Sequence, residues 1–81
     1  MSENNNPQTV TASVLDQVAK ASHHLSRHFR GRLHNAGVFV DRRGVVIRGT
    51  TKSYYVKQLA QHAVMTLVAL PIAANEIVVE A

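Results

Sequence analysis

The chain has no cysteine. That excludes disulfides, a thiolate zinc site and a thiol nucleophile, so the fold of these 81 residues must rest on apolar packing alone. Long apolar runs are also missing. The longest, Ala63–Ala74, is interrupted by Thr66 and Pro71 and falls well short of the roughly 20 residues a bilayer-spanning helix requires. The first residues, MSENNNPQTVTAS, have neither the basic start nor the apolar run of a secretory signal. The expectation is therefore a cytoplasmic protein without a transmembrane segment, peripheral to a membrane if its partner is lipid. Acidic side chains are few, five against nine Lys and Arg.

Length bounds the architecture. A chain this short holds one domain, whose single core supplies only about 3–5 kcal/mol of net stability. Residues 1–12 are polar, Asn-rich and interrupted by Pro7, and they read as a flexible tail. The folded domain is expected over residues 13–81.

What is present is a basic block. All nine Lys and Arg lie between Lys20 and Lys57, a window whose only acid is Asp41, so its formal charge is +8 with histidine neutral. The other acids flank it, Glu3 and Asp16 before and Glu76 and Glu80 after. All five histidines (23, 24, 28, 34 and 62) fall in or near the same window. Such a block suits an anionic partner: nucleic acid, an anionic membrane surface or an acidic protein face. It equally suits a well-solvated surface that keeps a small protein soluble.

Periodicity sets out the elements. Val14, Val18, Ala21, Leu25 and Phe29 recur at helical spacing, which predicts an amphipathic helix over 13–30 with a Ser13/Asp16 capping box and Gly31 as its stop. Gly37–Asp41 and Val45–Gly49 are β-rich runs joined by Asp41-Arg-Arg-Gly44, a hairpin. Thr50, Thr51 and Ser53 offer caps for a second helix whose Tyr55, Leu59, Ala63 and Leu67 would face one side, ended by Pro71. Asn75–Glu80 returns as a third strand. The fold class is α+β: a two-layer sandwich in the order helix-strand-strand-helix-strand, its three-stranded mixed sheet covered on one face by both helices. Alternation then points Val38, Val40, Val45, Ile47, Ile77 and Val79 at the helices and leaves Phe39, Asp41, Val46, Arg48, Glu76, Val78 and Glu80 on the open face. Asn75, in phase with Ile77, points inward as a structural hydrogen-bonding residue that ties down the loop after Pro71.

Over residues 13–80 the sequence resembles the BON domain family of bacterial osmotic-stress and envelope proteins. Val38-x-Val40, Gly44, Val45-x-Ile47-x-Gly49, Leu59 with Ala63, and Asn75-x-Ile77-x-Val79 carry the resemblance. Ala69-Leu70 stands where the family has glycine-valine, and the turn between Gly44 and Val45 is one residue tighter. The resemblance implies a non-enzymatic module that attaches proteins to phospholipid surfaces or to other proteins, with no catalytic residues.

The residues give no catalytic site either. Asp16 and Asp41, the only aspartates, have no spacing that implies a triad. His24 and His28 lie four apart, yet Leu25 follows His24 where a zinc-protease helix needs glutamate, and Lys20 marks their stripe as polar. A solvated face is the reading, and no metal or cofactor is assigned. Gly49-Thr-Thr-Lys-Ser53 lacks the full phosphate-loop spacing and reads as an N-cap beside a solvated Lys52, with a weak anion contact as the minor reading. The protein is expected to be a binding module, not an enzyme, which meets an anionic lipid surface or a protein partner through Arg30, Arg32, Arg48 and Lys52. The alternative is a nucleic-acid-binding domain, for which charge speaks but the single open-face aromatic, Phe39, does not. Arg27, Arg30 and Arg32 also complement the dipole at the first helix's end. Phe39, Val46 and Val78 form an apolar patch that either pairs two copies or is partly covered by the arm of Arg48.

Overall fold

The computed structural model of the chain describes residues 7–81, with side chains described from Ser13 onward. Its elements are α1 (Pro7–His28), β1 (Leu33–Asp41), β2 (Gly44–Thr51), α2 (Tyr54–Leu67), β3 (Ile72–Asn75) and β4 (Val78–Val79). The stripe in the first helix does what its spacing implies: Val18, Ala21, Leu25 and Phe29 are buried, and Val14 packs against them. Gly31 follows the helix in a left-handed conformation, φ 82°, with Arg32 and Leu33 both donating to the Phe29 carbonyl. The helix starts earlier than expected. Ser13 is one of its interior residues, so no Ser13/Asp16 capping box forms, and Asp16 instead meets Lys20 one turn on at 3.1 Å. Of the expected tail, residues 1–6 lie outside the described residues and 7–12 belong to α1.

β2 is the central strand. It pairs antiparallel with β1 from Leu33↔Thr51 to Asp41↔Gly44, and parallel with both β3 and β4 on its other side. The expected third strand, Asn75–Glu80, holds only the two-residue β4, and β3 forms before it over Ile72–Asn75, in place of the expected loop after Pro71, so the mixed open sheet has four strands. The break falls at Glu76–Ile77, where the Ile77 amide turns to the Asn75 side chain (3.2 Å) while Glu76 N–H donates to Ile47 O (2.7 Å). Asn75 points inward as expected, but its tie is to α2: its Nδ2 donates to Lys57 O and Gln61 Oε1.

Both helices lie over one sheet face, closing the two-layer α+β sandwich. The core joins the α1 stripe to Leu33, Val38, Val45, Ile47, Ile77, Val56, Ala60, Val64 and Val68. In α2 the buried line is Val56–Ala60–Val64, not the expected Tyr55–Leu59–Ala63–Leu67. Both lines have fourfold spacing, and Ser53 decides between them: its hydroxyl accepts from Val56 N at 3.2 Å, which starts the helix with Tyr55 turned outward. Leu59 and Ala63 flank the core and Leu67 is exposed. Val40 and Val79, expected inward, are 40% and 39% exposed. They sit on outer strands at opposite ends of the sheet, opposite Val45 and Thr51.

One glycine governs how the hairpin meets the rest. Gly44 has φ 140°, and a Cβ there would run into the Pro71 carbonyl oxygen, which accepts from Val45 N at 2.9 Å. Gly31 needs its positive φ too, but no atom lies within 4 Å of where a Cβ would sit. Gly31→Ala should therefore cost about 1 kcal/mol, the penalty of a left-handed alanine. Gly44→Ala should cost about 3 kcal/mol, because it adds backbone strain to displacement of the Pro71 carbonyl. Urea unfolding of both variants measures this; equal losses would contradict the contact.

Candidate functional site

The basic side chains are sorted by layer. The helices hold Lys20, Arg27 and Lys57 against Asp16, and the turns that join them to the sheet add Arg30, Arg32 and Lys52, an excess of five positive charges among the described residues. The sheet and its hairpin turn hold Arg42, Arg43 and Arg48 against Asp41, Glu76 and Glu80, which balance. Two of those acids are occupied: Arg43 meets Asp41 at 2.9 Å and Arg48 meets Glu76 at 3.0 Å. Asp41 accepts from both the side chain and the amide of Arg43, which holds its carboxyl below the usual aspartate range and raises the Arg43 guanidinium in turn. That contribution to the hairpin is present above the ordinary aspartate pKa and is lost as pH falls through the lowered one.

Of the four basic residues singled out in the sequence, two line one cleft and a third, Arg30, lies in the adjoining turn. Arg32 and Lys52 line one cleft with Gly31, His34, Thr51, Ser53, Tyr55 and Val56, and Arg30 precedes Gly31 in the same turn. Arg30, Arg32 and Lys52 are all exposed. Thr51 builds the cleft. Buried to 2% exposure at the end of β2, its hydroxyl donates to Arg32 O at 2.6 Å and accepts from Ser53 N at 3.2 Å, tying the turn after α1 to the start of α2. Arg48 lies elsewhere. Alternation along β2 turns it to the open sheet face, where Glu76 pairs with it and its guanidinium stands 5.5 Å from the centre of the Phe39 ring.

The expected apolar patch is also narrower than its sequence suggests. Phe39 and Val78 are 51% and 55% exposed, but Val46 is buried at 4%. It occupies the middle strand, opposite Phe39 on one side and Ala74 on the other, so its neighbours cover it. Val46 forms the floor of the patch and offers no contact surface.

Two features escaped the sequence reading. Tyr54 and Tyr55 are 63% and 67% exposed, and Tyr55 lines the basic cleft. The outward turn of Tyr55 follows from the Ser53 cap, a residue noticed only as one of three candidates. The second is a shallow groove between α1 and Leu67 of α2, walled by Lys20, His23, His24, Arg27 and His28. His24 and His28 stack there, ring centres 5.1 Å apart. Among the described residues no group of three or more histidine or acidic side chains is placed to hold a metal ion, and no helix is long and apolar enough to cross a membrane.

Thr51→Val keeps the volume and removes both hydrogen bonds, so it should destabilise the domain by about 1–3 kcal/mol. Amide exchange at Ser53 should accelerate beyond the global effect. Unchanged urea stability and exchange would contradict the tying role. Comparison of the chain with family models, curated proteins and solved structures returns no match.

Proposed function

We propose that the protein is a non-enzymatic binding module that lays its helix layer on an anionic phospholipid surface. The observation that carries this reading is the segregation of charge: an excess of five lies on the helices and the turns that join them to the sheet, while the strands, their hairpin turn and Glu76 and Glu80 balance. A charged membrane acts within about a Debye length, roughly 8 Å at physiological salt, so only cations on the near face feel it strongly. Arg30, Arg32 and Lys52 are the contacts, with Arg27 and Lys20 of α1 adding field. The exposed ring of Tyr55 in the same cleft suits the boundary between headgroups and acyl chains, where an apolar ring with a polar tip is at home. The resemblance of the strands and second helix to the BON pattern supports the same reading. Arg48, ion-paired on the far face, has no part in it.

The two exposed tyrosines favour one other reading. A basic cleft with aromatic faces is also what a single-stranded nucleic acid uses, through backbone attraction and base stacking. One experiment separates the two. In co-sedimentation with vesicles containing phosphatidylglycerol, the Arg30→Ala/Arg32→Ala/Lys52→Ala variant should bind about a hundredfold more weakly, at roughly 1 kcal/mol per basic residue. Arg48→Ala should bind as wild type does. Neutral vesicles should bind poorly, and oligonucleotides should compete weakly. Salt-steep binding of an oligonucleotide with no vesicle binding would overturn the lipid reading in favour of nucleic acid, and binding to neither would leave a protein partner.

A further inference from the structure

We propose that the open sheet face pairs with the same face of a second copy, so that two domains stand back to back and bridge two anionic surfaces. The pairing stands on the geometry of the sheet. The bridging rests on the lipid reading above.

Charge decides which faces can meet. Two helix layers carry like excesses and repel, whereas two open sheet faces are balanced, with Arg48 already neutralised by Glu76. The apolar side chains are placed for a twofold. Phe39 lies on β1 opposite Val46, and Val78 lies on β4 beside Thr50, so they occupy opposite outer strands and opposite ends of the face. An axis running diagonally between them sets Phe39 of each copy against Val78 of the other, which makes two equivalent contacts. Phe39 is already held in place. Its ring lies over Gly37, where a Cβ would come within 2.8 Å of it, and the Arg48 guanidinium stands 5.5 Å from its centre. Little side-chain freedom is then lost on pairing.

The face is small. Strands spaced about 4.8 Å apart across one narrow sheet give an interface at the low end of the range for specific complexes, so the pair is weak and depends on concentration. Binding of the helix layers to surfaces raises the local concentration and strengthens it. Back-to-back pairing also leaves both basic layers pointing outward, which is what bridging requires.

Sedimentation velocity from micromolar to millimolar concentration tests the pairing without lipid. Wild type should shift from monomer toward dimer, and Val78→Glu, a change at an exposed position, should weaken the association by at least about tenfold with thermal unfolding unchanged. Phe39→Glu should weaken the association too, with some loss of thermal stability because it uncovers Val46. A wild type that stays monomeric throughout, or variants that associate as wild type does, would overturn the pairing. Light scattering from phosphatidylglycerol vesicles reads the bridging: wild type should cluster them, and Val78→Glu should bind them without clustering. Undiminished clustering by Val78→Glu would overturn the bridging, and so would a wild type that binds without clustering. If wild type does not bind vesicles at all, the bridging falls with the lipid reading, while the sedimentation result still decides the pairing.

Discussion

Strand β2 has neighbours on both edges and a helix layer on one face, and the alternation of its residues meets those demands together. Val45 and Ile47 are fully buried under the helices, Thr51 continues their face to the strand's end, and Val46 and Arg48 turn the other way. A shift of register by one residue would carry Arg48 into the core and Ile47 into water. Burying unpaired arginine in so small a core would consume most of the about 3–5 kcal/mol such a domain possesses. The register therefore fixes the positions of β1, β3 and β4, and through Thr51 it fixes the turn after α1 and the start of α2.

Charge segregation follows from that constraint. Once the β2 face is set, Arg48 must lie on the open side, where Glu76 of the neighbouring edge can reach it. The remaining cations outside the hairpin turn are carried by α1, α2 and the turns that join them to the sheet. Exposed ion pairs such as Arg43–Asp41 and Arg48–Glu76 add little to stability. Their effect is on the field: they quiet one face and leave the other to attract anions. The amide of Val38 shows how an edge is managed in the same design. It donates to Ser22 Oγ of α1 at 2.7 Å, so part of the β1 edge is capped by the helix layer instead of lying open.

Elements with an unambiguous period were legible in the sequence. The α1 stripe, the Asp41–Gly44 turn, the inward Ile47 and Ile77 and the order of elements all follow from local chemistry. The failures have a common cause. In α2 two lines of residues had fourfold spacing, and only the Ser53 cap and the position of the sheet choose Val56–Ala60–Val64. Val46 reads as exposed because alternation says which way a side chain points but not what its cross-strand neighbours cover. For the site, Arg32 and Lys52 could be joined because they flank adjacent element ends, while the separation of Arg48 and the exposure of Tyr55 depend on which way single side chains face. Thr51 gave no signal of its central position, since its partners are a carbonyl and an amide distant in sequence or hidden in a turn.

The most direct test of this account asks which face meets the anionic surface. Amide resonances of the labelled protein, recorded on vesicles of phosphatidylglycerol that carry a spin label at the headgroup, report that directly. Broadening should centre on Arg30, Gly31, Arg32, Lys52 and Tyr55 and fade along α1, leaving Phe39, Val46, Arg48 and Glu76 sharp. Broadening centred on Phe39 and Val78, or spread evenly over both layers, would contradict the claim that the helix layer is the face that binds.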